Sequence, residues 1–447
     1  MYLRFPSIDR RLIVAYLMRS YPIIFNNLNV LAIEAVNTTM VSRIGVAHAA
    51  SAVFAHTLFN IFKKMNAGIS ISVALLVARA DRKKNHKQVG QILKHGLLLN
   101  TFFALLFIIA LLVLSFYLAC AHQSPEIASL GRPYLQIIAI SLIPSAINNM
   151  IKRYLEGCAH GKIALLLTFF TLITNLIFNF LFMYGQWGAP AFGLNGAAIA
   201  IVLSEILTVI AGVVYLVYLS PQNHPITGLG WRQISWRYFK KILSISWPVG
   251  LQFGIEGAYL LFIAIMVGWI SIEAQAAHAI LFNICQLITI FAVGLGLSGS
   301  MLVTQQHHPQ NGCLVRKVAF MACSVIGMVS IIVGLMLYAM SPYIISFYKP
   351  VYTVRALVVL LITHLSLFQL FYSLCYWGNS ILRGLNDNAF LFLSNMITQL
   401  IGVGICYLLV INYKWHINGV WIALILERIL LGFFLFIRFD YKTKMSV

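Results

Sequence analysis

Residues 240–265, KKILSISWPVGLQFGIEGAYLLFIAI, read as a helix long enough to cross a bilayer, with one acid inside it. Glu256 stands sixteen residues after Lys240, about 24 Å along a helix. A charge at the bilayer centre costs on the order of 2.5–3.5 kcal/mol even on the lenient insertion scale, so such a residue faces a bundle interior or a water-filled path and marks a candidate functional site. Gln252 and Tyr259, four residues before and three after, share its helix face. A carboxylate beside an amide and a phenol is a candidate ion or proton site. A second long apolar stretch, residues 46–77, carries Lys63 and Lys64 together near its centre. Adjacent helical residues point about 100° apart, so one lysine faces a lumen while the other finds an acid or snorkels. Pairing with Glu34 or Glu256 is the structural alternative. A lysine facing a cleft favours anionic or zwitterionic compounds.

The rest of the chain extends this pattern. Of 447 residues, 61% are hydrophobic and 9% charged, against about 25% charged in a soluble domain. Spans of about 20 residues or more are expected at 12–37, 46–77, 96–120, 131–153, 163–184, 193–219, 240–267, 275–304, 314–340, 353–381, 389–411 and 417–438. The first is read as a retained helix and not a leader. The fold expected is an all-α polytopic membrane protein with twelve transmembrane helices.

The net charge of +20 follows topology. Counted over alternate loops and ends, 23 of the 31 Lys and Arg fall on the side of both termini and five on the other, the remaining three lying within spans. That asymmetry places both termini in the cytoplasm and argues against nucleic acid as a partner. The seven cysteines are scattered, without metal or redox spacing. No phosphate-binding loop and no hydrolytic or redox constellation occurs, so the chain reads as neither an enzyme nor a nucleotide-driven pump.

The sequence also repeats. SYPIIF at 20–25 corresponds to SWPVGL at 246–251, an offset of 226. Leu155 and Gly157 correspond to Leu382 and Gly384 at 227, and Asn195-Gly196 to Asn418-Gly419 at 223. Two pseudo-symmetric six-helix lobes follow, 1–219 and 240–447, joined by a basic, Pro- and Gly-containing cytoplasmic linker at 220–239. Six is even, so the lobes share an orientation, a design suited to alternating access.

The stretch Asn175, Asn179-Phe180, Phe182, Gly185, Gly188-Ala189-Pro190, Gly193, Gly196 resembles the MATE (multidrug and toxin extrusion) family in its NorM-like branch. So do Glu156-Gly157, Pro248 with Glu256, Met266-Val267-Gly268 and Leu382-Arg383-Gly384-Leu385-Asn386-Asp387. The resemblance spans essentially the whole chain. It implies an antiporter that exports small amphipathic organic compounds, driven by inward Na⁺ or H⁺ and without other cofactors. It implies cation coupling, or a bound Na⁺, at Glu256 and Asp387. In the first helix the family carries an acid with asparagine support from the fifth; here Val36-Asn37-Thr38 puts Asn37 in that place, with Asn179 retained. Glu34, at i−3 from Asn37 on the same face, is the acid that compensates. Glu205 and Glu427-Arg428 occupy nearly equivalent places in the two lobes and read as structural polar contacts. A substrate cavity is expected at Gln252, Tyr259, Lys63 and Lys64. A monomer in a bacterial inner membrane is expected, with lipid as its surroundings. Two alternatives stay open: a lipid-linked precursor flippase of the same superfamily, and a major-facilitator-type anion transporter.

Overall fold

A computed structural model describes residues 10–116, 125–219, 234–306, 312–348 and 352–444. Among them are thirteen α-helices. They are α1 (Arg10–Ser42), α2 (Val46–Arg82), α3 (His86–Phe116), α4 (Pro125–Ile140), α5 (Leu142–Gly157), α6 (Gly161–Phe182), α7 (Leu194–Val214), α8 (Trp236–Gly268), α9 (Ile272–Gln306), α10 (Gly312–Tyr348), α11 (Tyr352–Gly384), α12 (Asn388–Tyr407) and α13 (His416–Lys444). Ten are long and apolar enough to cross a membrane, and α4 with α5 supplies an eleventh as one bent span. α1 covers the place of the first expected span but carries Arg19, Asn26, Asn27, Asn29, Glu34 and Asn37, which dilute its hydropathy. Apolar faces lie bare along the spans: Phe102, Leu105, Leu106, Ile109 and Val113 of α3 are all exposed. So are Leu166, Phe169, Ile173, Leu176 and Phe180 of α6. Such patches mark a lipid-facing surface, and the protein is a multi-pass membrane protein.

Two local departures from the sequence reading have clear causes. The fourth span is broken at Ser141, with the two pieces at 40°. Pro144 lacks the N–H that would bond the Ile140 carbonyl, so the helical ladder fails there, and the Ser141 hydroxyl turns back to the Ile138 carbonyl at 2.6 Å. The basic stretch after the second span, read as a loop, is helical except at a short turn. Lys84 takes a left-handed φ of 51°, and Asn85 Oδ1 accepts from the Gln88 N–H at 3.0 Å as a cap for α3. The expected linker 220–239 lies largely outside the described residues.

The chain packs as two units, one of Phe25–Gly254 and one of the described residues of Met1–Ile24 and Ile255–Val447. These differ from the halves read off the repeat, because α1 and α8 are each divided. In the second unit, the Tyr16 hydroxyl donates to the Leu295 carbonyl at 2.8 Å and Arg19 donates to Gln305 at 2.7 Å. In the first, Ile242 and Ile245 of α8 join a core with Val73, Leu93, Met150 and Leu155. α1 and α8 hold Pro22 and Pro248, equivalent in the repeat at offset 226. Each removes one ladder bond of its helix.

The repeat is legible in backbone geometry within each unit. After Leu155 the chain turns through Ala159 at φ 61°, and after Leu382 through Asn386 at φ 63°. The His160 N–H bonds the Leu155 carbonyl at 2.7 Å, and the Asp387 N–H bonds the Leu382 carbonyl at 3.0 Å. At Gly157 a Cβ would stand 2.9 Å from the Ala74 carbonyl oxygen, and at Gly384 2.7 Å from that of Ser300. Position 74 maps to 300 at the same offset of 226. Only glycine permits these helices so close.

Candidate functional site

The second unit buries an ion cluster. Arg428 Nη2 lies 3.5 Å from Glu256 Oε1, and its Nε lies 3.0 Å from Glu427 Oε2. The guanidinium carbon sits 4.9 Å from the centroid of the Tyr372 ring, within cation–π range. Cys375 Sγ donates to the Arg428 carbonyl at 2.9 Å, and Thr398 donates to Glu427 Oε1 at 3.4 Å. The side chains of Arg428 and Glu427 are 4% and 0% exposed, whereas that of Glu256 is 22% exposed. Glu256 is therefore the most exposed member of the cluster. Tyr259 is buried beside Gly402 and Glu427, and its hydroxyl has no hydrogen-bond partner among the described residues. Arg383 is buried and hydrogen-bonded to the Tyr376 phenol, within electrostatic reach of Glu256.

Asp387 stands apart from this cluster in role. It follows the end of α11 at the head of α12, so it is not inside a span. Its carboxylate is held by Arg438 at 2.7 and 3.4 Å and by Lys442 Nζ at 3.6 Å. Arg383, four residues earlier, is buried instead.

The first unit holds the other predicted residues. Asn179 Nδ2 donates to Asn37 Oδ1 at 2.6 Å and to Asn175 Oδ1 at 3.1 Å. All three amides are buried, and Asn179 Oδ1 and Asn175 Nδ2 have no partner among the described residues. The structure brings together Asn37 and Asn179, which the family resemblance placed in support of each other, and Asn175 completes a triad. Glu34 does not join it. Its carboxylate meets Lys63 Nζ at 3.4 Å, while Lys64 is exposed. Gln252 is buried in this unit. Glu205 accepts from the Asn148 amide and attracts Lys152, and Glu156 pairs with Arg153 at 2.7 Å.

The residue that sequence reasoning undervalued is Arg428. The repeat held a signal for it. Asn148 Nδ2 donates to the Glu205 carbonyl at 3.0 Å as Cys375 donates to that of Arg428. Position 148 maps to 375 at offset 227, and 205 to 428 at 223. Arg428 thus replaces an acid at the equivalent place, inside a span, and calls for acid partners. No group of three or more metal-ligating side chains occurs among the described residues.

Comparison with known proteins agrees with this architecture. A "Probable multidrug resistance protein NorM" of Mesorhizobium japonicum is 24% identical, over 93% of this chain and 91% of that one. "Multidrug resistance protein MdtK" of Proteus mirabilis is 23% identical, over 87% and 85%. The fold matches, at TM-score 0.89 and 16% identity, over 97% of this chain and 96% of that one, a MOP superfamily transporter from Pyrococcus furiosus, for which reverse polarity of the binding pocket suggests a different function. It also matches the eukaryotic MATE transporter AtDTX14 at TM-score 0.86 and 16% identity, over 98% of both chains. The MatE family profile matches residues 22–181 and again 248–408, one segment in each repeat half. With both halves matched, the chain belongs to the MatE family.

Proposed function

We propose that this protein exports small amphipathic organic compounds by alternating access, in antiport with H⁺ or Na⁺, from a bacterial inner membrane with both termini cytoplasmic. The observation that carries the reading is the MatE match in both halves together with a buried ion cluster around Glu256. Structural stability gives no reason to keep such charges in a span, since each costs free energy there; ion coupling does. Family membership sets aside the major-facilitator alternative. The names of the relatives favour multidrug export over lipid-precursor flipping. Glu256 is the coupling acid in this reading, with the Asn37, Asn175 and Asn179 triad as a second ion contact. Asp387, held by two basic side chains at a helix end, is the weaker candidate. Exposed Lys64 biases the substrate range toward anionic or zwitterionic compounds. The test is transport in proteoliposomes, comparing a Na⁺ jump with a pH jump for wild type and Glu256→Gln. Gradient-driven efflux that Glu256→Gln abolishes supports the reading. Full gradient-driven efflux by that variant removes Glu256 from the coupling role.

A further inference from the structure

A carboxylate that binds a metal cation within a membrane needs surplus negative charge. The cluster around Glu256 has none. Glu256 faces Glu427 and Arg428 from α13, and Tyr372 and Arg383 from α11, with Tyr376 bonded to Arg383. Two carboxylates meet two guanidinium groups, so the formal charge is zero. Arg428 holds Glu256 at 3.5 Å and Glu427 at 3.0 Å, and Tyr372 covers its guanidinium. Its backbone is fixed by the Cys375 thiol. Arg428 supplies, from within the chain, the positive charge that a bound ion would bring to Glu256.

We propose that Arg428 is the resident cation of Glu256, and that it closes this acid to sodium. The inference rests on the reading of Glu256 as the coupling acid and narrows the ion that acts there to a proton. A proton needs no coordination shell. It passes from water to the exposed carboxylate of Glu256, giving a neutral carboxyl, and Arg428 is then held by Glu427 alone. When the proton returns to water on the other side, Arg428 is shared again between the two carboxylates. The unequal geometry suits this exchange. Glu427, fully buried and closer, is the permanent anchor, and Glu256, partly exposed and farther, is the partner that lets go.

The test reads stability, so it stands even if export itself is not observed. The purified full chain is unfolded thermally in NaCl and in choline chloride at equal ionic strength. Wild type and Glu256→Gln are expected to unfold at the same temperature in both salts. Arg428→Gln leaves two carboxylates against Arg383 alone, a net charge of −1, and sodium is then expected to raise its unfolding temperature by about 3 °C or more. Adding Glu256→Gln to Arg428→Gln abolishes that response. Arg428→Lys keeps the charge and stays indifferent to sodium. A sodium response in wild type that Glu256→Gln removes overturns the proposal, as does a folded Arg428→Gln that is blind to sodium. If Arg428→Gln yields no folded protein, the comparison of wild type with Glu256→Gln and Arg428→Lys decides alone.

Discussion

Arg428→Met separates the cost of the buried cluster from its mere presence. At an effective dielectric near 20, the attraction of Arg428 to Glu427 over 3.0 Å is about 5.5 kcal/mol, and to Glu256 over 3.5 Å about 4.7 kcal/mol. Desolvation of the three charges offsets most of that gain, so the intact cluster contributes little net stability. Removing one partner is different, because it strands a charge. Glu427 is 0% exposed, so Arg428→Met is expected to destabilise by about 3–5 kcal/mol. Methionine keeps most of the aliphatic stem, which limits the cavity contribution. Glu427→Gln leaves Arg428 with Glu256 and keeps the bond to Thr398, and is expected to cost about 1–2 kcal/mol. Glu256→Gln, at the exposed end, is expected to cost less than about 1 kcal/mol. With about 2–4 °C per kcal/mol for a unit of this size, Arg428→Met should lower the unfolding temperature by roughly 6 °C or more. The double change Arg428→Met with Glu427→Met should recover part of the loss, since it removes both charges. Thermal unfolding in one detergent and in choline chloride decides it. Arg428→Met unfolding with wild type, or Glu427→Gln proving the more damaging, would refute the reasoning.

The glycine contacts give a second expectation. At Gly384 a Cβ would stand 2.7 Å from the Ser300 carbonyl oxygen, so Gly384→Val should cost about 1–3 kcal/mol, read as a lowered unfolding temperature. Gly157→Val should do the same in the first unit. Lys64→Ala should leave stability within about 0.5 kcal/mol of wild type while shifting substrate preference toward organic cations in competition assays. Lys63→Ala removes a half-exposed pair with Glu34 and should cost about 1 kcal/mol or less. Asn37→Asp keeps the acceptor for Asn179 and should fold, whereas Asn179→Ala strips both Asn37 and Asn175 of a donor and should destabilise by about 1–3 kcal/mol. Circular dichroism melts at matched lipid content compare these.

The spans, the internal repeat and the buried acid were legible because each is written in local pattern. Apolar run length fixes a span, and a shared offset fixes a repeat. The Asn37–Asn179 contact was legible through family resemblance, since its partners lie far apart in sequence. Partner choice among charges was not legible. Asp387 has Arg383 four residues away, yet it binds Arg438, because the turn through Asn386 aims its carboxylate at α13. Glu256 was read with Gln252 and Tyr259 on its own helix, and its ion partner came from α13 instead. Helical periodicity reports which side chains share a face, and tertiary packing decides which charge waits opposite. The division of α1 and α8 between packing units was hidden for the same reason: an uninterrupted apolar helix carries no mark of the core each part joins.

Equivalent positions in the two halves carry different chemistry on one backbone frame. Glu156 corresponds to Arg383 at offset 227, and Glu205 to Arg428 at 223. The first unit thus has acids where the second has arginines. The asparagine triad shows the converse. Asn37 corresponds to Ile263 at 226, and Asn175 and Asn179 to Gly402 and Cys406 at 227. Where the second half is apolar, the first has three buried amides with an unpartnered carbonyl oxygen at Asn179 among the described residues. Amide oxygens can ligate a cation but cannot carry a proton. A carboxylate already matched by arginine can take up a proton but lacks the surplus charge that favours a metal ion. On the proposed reading, the two halves suit different ions. A proton-driven cycle should fail first on Glu256→Gln, and a sodium-driven one on Asn37→Ala. The same pair of variants, under a pH jump and a Na⁺ jump, reads which half of the repeat the cycle uses.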